Sequence, residues 1–257
     1  MRLAGAQIPV SKDVEKNVET IKHAIDWATD NECDFLVTPE GSLSGYLPGF
    51  NIEATIKGLA DIEEYAKEKS MGLCLGTLWL DKEDQGDIRR NQIRFYDKEG
   101  VFLGRANKTH GVNHDETFLM NDIDKEGIRI FSLLTPPGGT GQQYLNAVGL
   151  ICNDMWPHYA SKSIPHLAEL AGATILIHSS NGARGNDKDK VYNTWHDANL
   201  KMISHITRIP IITVDNIYHI NGEYYDGPTS SESGVVIDGE WVTDVPRTGT
   251  QYFYWDF

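Results

Sequence analysis

The sequence predicts an α/β protein in which two mixed β-sheets pack together and helices lie outside them. Three observations carry that expectation. Ten or so short runs have strand character, four longer segments set apolar residues at helical spacing, and the two kinds alternate partly as β-α-β units and partly as hairpins. Helices that must each cover a sheet face, beside strands joined by tight turns, fit mixed sheets better than a purely parallel one.

The elements follow in order. LAGAQI at the start reads as a short strand. Residues 13–30 then place Val14, Val18, Ile21, Ile25 and Ala28 at helical spacing, with Ser11 or Asp13 as cap. Phe35, Leu36 and Val37 form a compact run suited to a buried strand, so the chain opens β-α-β. Residues 52–69 are again helical in pattern and lead into strand-like GLCLGTLWL. NQIRFYD and VFLGRANK are strands whose link, Asp97-Lys98-Glu99-Gly100, carries hairpin turn chemistry. GIRIFSLLT, YLNAVGLIC, ATILIHSS, IPIITVDN, SGVVIDG and EWVTDV continue the strands, with helices expected over 162–171 and 193–207. PPGGTG at 136–141 lacks the Lys-Ser/Thr ending of a P-loop and precedes a strand, so it reads as a connection; GARGNDKDK at 182–190 is a polar loop suited to the rim of a site. No repeat, long linker or charge block marks a boundary, and residues 1–257 are expected to form one domain.

Composition narrows the function. With 40% hydrophobic and 23% charged residues there is material for a sizeable core. A formal charge of −14 argues against a nucleic-acid partner, because nucleic acid is held mainly by Lys and Arg on its phosphates. MRLAGAQIPV carries neither a signal-peptide apolar stretch nor an Arg-rich transit pattern, and no run approaches the roughly 20 apolar residues of a membrane span. A cytoplasmic protein without a membrane partner is expected. Cys33, Cys74 and Cys152 are odd in number and widely spaced, which fits neither a disulfide framework nor a metal pattern. Cys33 and Cys74 sit beside apolar runs as buried thiols do; Cys152 alone has polar neighbours downstream.

Three predicted strand ends carry reactive groups: Glu40 after FLVTP, Lys108 after VFLGRAN and Cys152 after AVGLI. Taken singly, each has a plain alternative as a surface carboxylate, a solvated ammonium or a packed thiol. Together they make a mechanism. A thiol with a pKa of about 8.5 needs an adjacent base or positive charge to act as a nucleophile. Glu40 supplies the first and Lys108 the second.

The chain resembles the nitrilase superfamily of carbon–nitrogen hydrolases in AGAQIPV near the start, TPEGSLSGY at 38–46, RANKTH at 105–110 and LICNDMWP at 150–157. The resemblance implies a four-layer α-β-β-α sandwich and a homodimer or higher homo-oligomer docked through helices. It also implies a Cys152 nucleophile, a Glu40 general base and a Lys108 that steadies the tetrahedral intermediate, with Glu116 positioning Lys108 and substrate. The Asn153 N–H is expected to join Lys108 at the oxyanion, and no metal or organic cofactor is needed. Tyr46, Trp156 and Asn181 are candidate substrate-binding residues, the last as a hydrogen-bonding group. His110, His114 and His178 fit no standard zinc spacing.

Departures from the pattern limit what the resemblance gives. Cys-Asn-Asp-Met-Trp-Pro-His is one residue shorter than the common form, with His158 where a Glu is usual, and His205 replaces a Glu at the end of the last helix. Cys-Asn-Asp is similar to N-carbamoyl amino acid hydrolases, but the Arg pair suited to a carboxylate is missing. QYFYWDF at the C-terminus fits either an interface or its own core, and the lack of a longer extension favours an amidase over a nitrilase. The expected reaction is hydrolysis of a small linear amide to acid and ammonia through a Cys152 thioester. The rivals are nitrile or N-carbamoyl hydrolysis and, in another class, a catalytically silent homologue that binds a small molecule or protein partner.

Overall fold

The computed structural model describes residues 1–47, 49–83, 86–111, 128–134, 144–156, 163–182 and 190–257, with 83 and 190–193 described in backbone only. The first sheet is built from β1 (Arg2–Gln7), β2 (Phe35–Val37), β3 (Gly72–Glu83), β4 (Gly86–Tyr96), β5 (Phe102–Asn107) and β12 (Gln251–Asp256), in the order β12-β1-β2-β3-β4-β5. The second holds β6 (Phe131–Leu134), β7 (Tyr144–Ile151), β8 (Ile175–Ser179), β9 (Ile211–Val214), β10 (Gly234–Ile237) and β11 (Glu240–Trp241), in the order β11-β10-β9-β8-β7-β6. Each sheet has three parallel strands at its centre, β1-β2-β3 and β7-β8-β9, with one antiparallel neighbour on one side and two on the other. The same strand plan thus occurs twice, although no repeat is legible in the sequence.

Alternation along the strands builds the layers. Phe35, Val37, Cys74, Ile93 and Phe95 of the first sheet meet Ile151, Ile175, Ile177, Ile212 and Val214 of the second in a central core. The opposite face of the first sheet packs Leu36, Leu73 and Leu75 on α1 (Val14–Asp30) and α2 (Ile52–Glu68), through Ile21, Ile25 and Ile62. Leu150, Leu176 and Ile211 pack on α3 (Ile164–Leu170) and α4 (Lys190–Thr207). The result is the expected α-β-β-α sandwich. Fully burying one such Leu or Ile contributes about 1.5–3 kcal/mol, so the three cores outweigh any single polar contact.

Local signals explain the element ends. Asp13 is the cap of α1, its side chain accepting from the N–H groups of Glu15 and Lys16. Asp97 Oδ1 accepts from Glu99 and Val101 N–H, and Gly100 takes φ +78° to turn β4 into β5. The C-terminal segment forms β12, antiparallel to β1, with Phe253 and Trp255 in the central core and Tyr252 stacked on Trp27 at 5.3 Å. Of the two roles left open for QYFYWDF, folding onto its own chain is the one observed.

Candidate active site

The C-terminal ends of β2, β5, β7 and β8 converge, and each brings one part of the site. Glu40 follows β2 in a segment with little freedom. Gly76 has no side chain because a Cβ there would lie 2.0 Å from the Pro39 carbonyl oxygen. The Gly76 N–H donates to Thr38 Oγ1 at 3.0 Å, and Ser42 Oγ donates to the Gly76 carbonyl at 2.8 Å. The Thr38 hydroxyl is therefore left to donate to Ser42 Oγ, 2.7 Å away. From the second sheet, Ser179 Oγ donates to Thr38 O at 2.8 Å, Ser180 O accepts from Glu40 N–H at 3.2 Å, and Asn181 Nδ2 donates to Glu40 O at 3.1 Å. TPEGS thus fixes a carboxylate between two sheets.

Lys108 directly follows β5 and donates its N–H to Asn91 O at 2.8 Å. Its ammonium reaches Glu40 Oε1 at 2.9 Å and Tyr46 Oη at 3.3 Å. Asn91 Nδ2 donates to the same Glu40 oxygen at 2.6 Å. Both Glu40 and Lys108 are 1% exposed. A buried pair of this kind persists only when hydrogen bonds compensate for lost hydration, and the Asn91 amide is one of them. Asn91 is a site residue that sequence reasoning missed. Its signal was parity: in NQIRFY it shares a face with Ile93 and Phe95, so a polar group there points into the core.

Cys152 stands at the start of a 3-10 turn, Cys152–Met155, with φ +47°. A left-handed conformation costs a non-glycine residue about 1–2 kcal/mol and persists only where its surroundings enforce it. Asp154, 2% exposed, does much of this: Oδ2 accepts from Ile151 N–H at 3.2 Å, and Oδ1 accepts from Thr109 and His110 N–H at 2.9 and 2.8 Å. Asn153 Nδ2 adds a bond to Gly111 O at 2.7 Å. The turn after β7 is therefore latched to the residues that follow Lys108. Gly149 lets the strands come close enough, since a Cβ there would lie 2.8 Å from Ala106 Cβ. Asp154→Ala strands three main-chain donors and is expected to cost about 2–4 kcal/mol in urea unfolding.

Glu40, Lys108 and Tyr46 meet directly, while the turn that carries Cys152 and Asn153 is tied to the residues after Lys108 through Asp154, and β7 before it pairs with β8 at Ile151 and Ser179. Asn181 sits under the Glu40 main chain, with its Oδ1 accepting from Asn216 Nδ2 at 2.7 Å. Trp156 goes elsewhere, into the outer core of the second sheet. There it stacks on His196 at 4.7 Å and meets Trp195 and His178 edge-on at 4.8 and 5.4 Å. His205 is largely exposed and lies 2.8 Å from Asp238. Glu116, His114, His158, the 136–141 connection and residues 183–189 lie outside the described residues. Among the described residues no cluster of His, Cys, Asp or Glu is arranged to hold a metal ion, and no helix is long and apolar enough to cross a membrane.

His178 is wholly buried under the Cys152 turn. Burial pushes its pKa down to about 3 from 6.5. Only the unfolded chain therefore takes up this proton between those values, so the stability tied to a neutral His178 is complete above pH 6.5 and falls as the pH drops toward 3. By pH 5 the deficit is about 2 kcal/mol. Urea unfolding of His178→Gln is expected to lose that much less between pH 7 and pH 5 than the native chain; an equal loss in both would refute the assignment.

The carbon-nitrogen hydrolase family model matches residues 2–236, and the chain belongs to that family. Solved structures agree on the fold. A mutant of the amidase from Nesterenkonia sp. AN1, showing Michael addition of acrylamide at the active site cysteine, is 17% identical with a TM-score of 0.73, over 100% of this chain and 93% of that one. Another mutant of that amidase, in complex with butyramide, is 17% identical with a TM-score of 0.73, over 100% and 90%. No curated protein matches the chain.

Proposed function

We propose that this carbon–nitrogen hydrolase is an amidase that converts a small linear amide to its carboxylic acid and ammonia. One observation carries the reading: the Lys108 ammonium lies 2.9 Å from the Glu40 carboxylate, both buried, and the segment that follows Lys108 is tied by Asp154 to the left-handed turn that carries Cys152. Glu40 takes the Cys152 thiol proton as sulfur attacks the amide carbon, and the carbonyl π electrons move to oxygen. The oxyanion is met by Lys108 and the Asn153 N–H, as positive charge and fixed dipoles in a dry site stabilise it. Glu40 passes its proton to the departing nitrogen, ammonia leaves, and Glu40 then activates the water that opens the thioester. Tyr46 orients Lys108, and Glu116 is proposed to act with them. One mutant of the amidase in the structural comparison shows Michael addition of acrylamide at the active site cysteine and another is in complex with butyramide, which favours amides over nitriles here.

The test is ammonia release from a panel of aliphatic amides, nitriles and N-carbamoyl compounds. Release from amides above the other two classes is expected. Binding without release from any class, unchanged by loss of Cys152, would make the chain a silent binding homologue. The whole chain is proposed to act as one domain and as a homodimer joined through α3 and α4, where Leu170, Met202 and Ile206 are exposed. Light scattering should then give twice 28.8 kDa, and a monomer would overturn the docking.

A further inference from the structure

His178 fits no zinc spacing and takes no part in the proton transfers of Glu40, Lys108 and Cys152. Its contacts are specific. Nε2 lies 3.2 Å from the Cys152 carbonyl oxygen and Nδ1 lies 2.8 Å from Thr213 Oγ1. A carbonyl only accepts, so Nε2 carries the hydrogen, and Nδ1 accepts from the Thr213 hydroxyl. The imidazole is thus held as one neutral tautomer between a strand hydroxyl and the main chain of the nucleophile.

That bond fixes more than a carbonyl. The described chain has no cis peptide, so the Cys152–Asn153 unit is planar and trans, with its N–H antiparallel to its C=O. The C=O points toward His178, whose ring packs on Trp156 in the outer core. The Asn153 N–H then points away from His178 and the outer core, and Lys108 and Glu40 follow strands of the first sheet, which lies across the central core from that outer layer. We propose that His178 is a positioning residue: by holding the Cys152 carbonyl against the outer layer, it aims the Asn153 N–H at the oxyanion formed during amide attack. Asp154 latches the turn as a whole, whereas His178 sets the angle of this one peptide plane. The inference rests on the amidase reading and adds a role outside the Glu40–Lys108–Cys152 group.

The test separates aiming from mere support. Alkylation of Cys152 by iodoacetamide forms a C–S bond as iodide leaves and needs no oxyanion donor, while amide hydrolysis needs one. Cys33 and Cys74 are buried, so peptide mass spectrometry reads Cys152 against a quiet background. His178→Leu is expected to lower kcat on the preferred amide about 10- to 100-fold, part of what loss of a whole oxyanion donor costs. KM and the alkylation rate should stay within about twofold of the native protein's. His178→Gln, whose side-chain N–H reaches about as far as Nε2, should recover most of kcat. Should His178→Leu fail to fold, Thr213→Val keeps the ring and removes the hydroxyl that holds its tautomer. It is expected to lower kcat several-fold, again without slowing alkylation. Native kcat in a folded His178→Leu or Thr213→Val protein, or a parallel fall in turnover and alkylation, overturns the inference. A native protein that releases no ammonia from any amide defeats the amidase reading instead.

Discussion

Cys152→Ala is expected to lower ammonia release by at least about 10⁴-fold, the scale on which a covalent route fails when its nucleophile is removed. The fold should survive. Cys152 is only partly buried at the margin of the central core, and alanine meets the same φ of +47° with a smaller side chain. The amide should still bind, since the bonds that join Lys108, Tyr46 and Glu40 do not involve the sulfur. Two measurements check this: steady-state ammonia release, and intact-mass spectra of native protein quenched during turnover. The native spectrum should gain the acyl part of the substrate on the peptide containing Cys152, and the variant's should not. Native-like turnover by a folded Cys152→Ala protein would remove the thioester and the scheme with it.

Most of the fold was legible because period and punctuation agree. The spacing of Val14, Val18, Ile21, Ile25 and Ala28 is the face that α1 buries, and Asp13 caps where a cap was expected. The candidate site was legible in part, for a geometric reason. Glu40 and Lys108 follow strand ends that a layered α/β fold brings to one edge, so their meeting followed from the strands and the resemblance together. What holds them did not. Asp154 reads in sequence as one more polar residue after a cysteine, and its three main-chain donors come partly from residues 109 and 110, which only the fold brings near. His178 carried a signal, as an imidazole inside the all-buried run ILIHS, but its partners arrive from two other segments. Trp156, an aromatic that sequence alone could assign to the pocket or to packing, leaves the 3-10 turn on the outer side, stacks on His196 and meets Trp195 edge-on, both of α4. Closeness along the chain is a poor guide where a turn reverses direction within four residues.

Lys108→Met removes the site's cation while keeping most of its length, and two losses are expected to compound. The first is catalytic: the oxyanion loses its charged donor, a cost of about 10²–10³ in kcat. The second falls on the base. Glu40 Oε1 keeps the Asn91 amide but loses the ammonium at 2.9 Å, and it has almost no contact with solvent. A buried carboxylate deprived of its cation either stays ionised, at about 3–5 kcal/mol, or takes up a proton. Protonation is the lesser cost, and a protonated Glu40 cannot accept the thiol's proton. Turnover at neutral pH is therefore expected to fall by more than about 10³-fold, with the acid side of the pH–rate profile displaced to higher pH. Raising the pH should restore part of the rate by ionising Glu40, but not the part that belongs to the oxyanion. Lys108→Arg should not rescue it either, because a planar guanidinium cannot fit the space of a compact ammonium between Glu40 and Tyr46. A Lys108→Met protein with a native pH profile, whatever its rate, would mean that the ammonium and the carboxylate do not share one electrostatic unit.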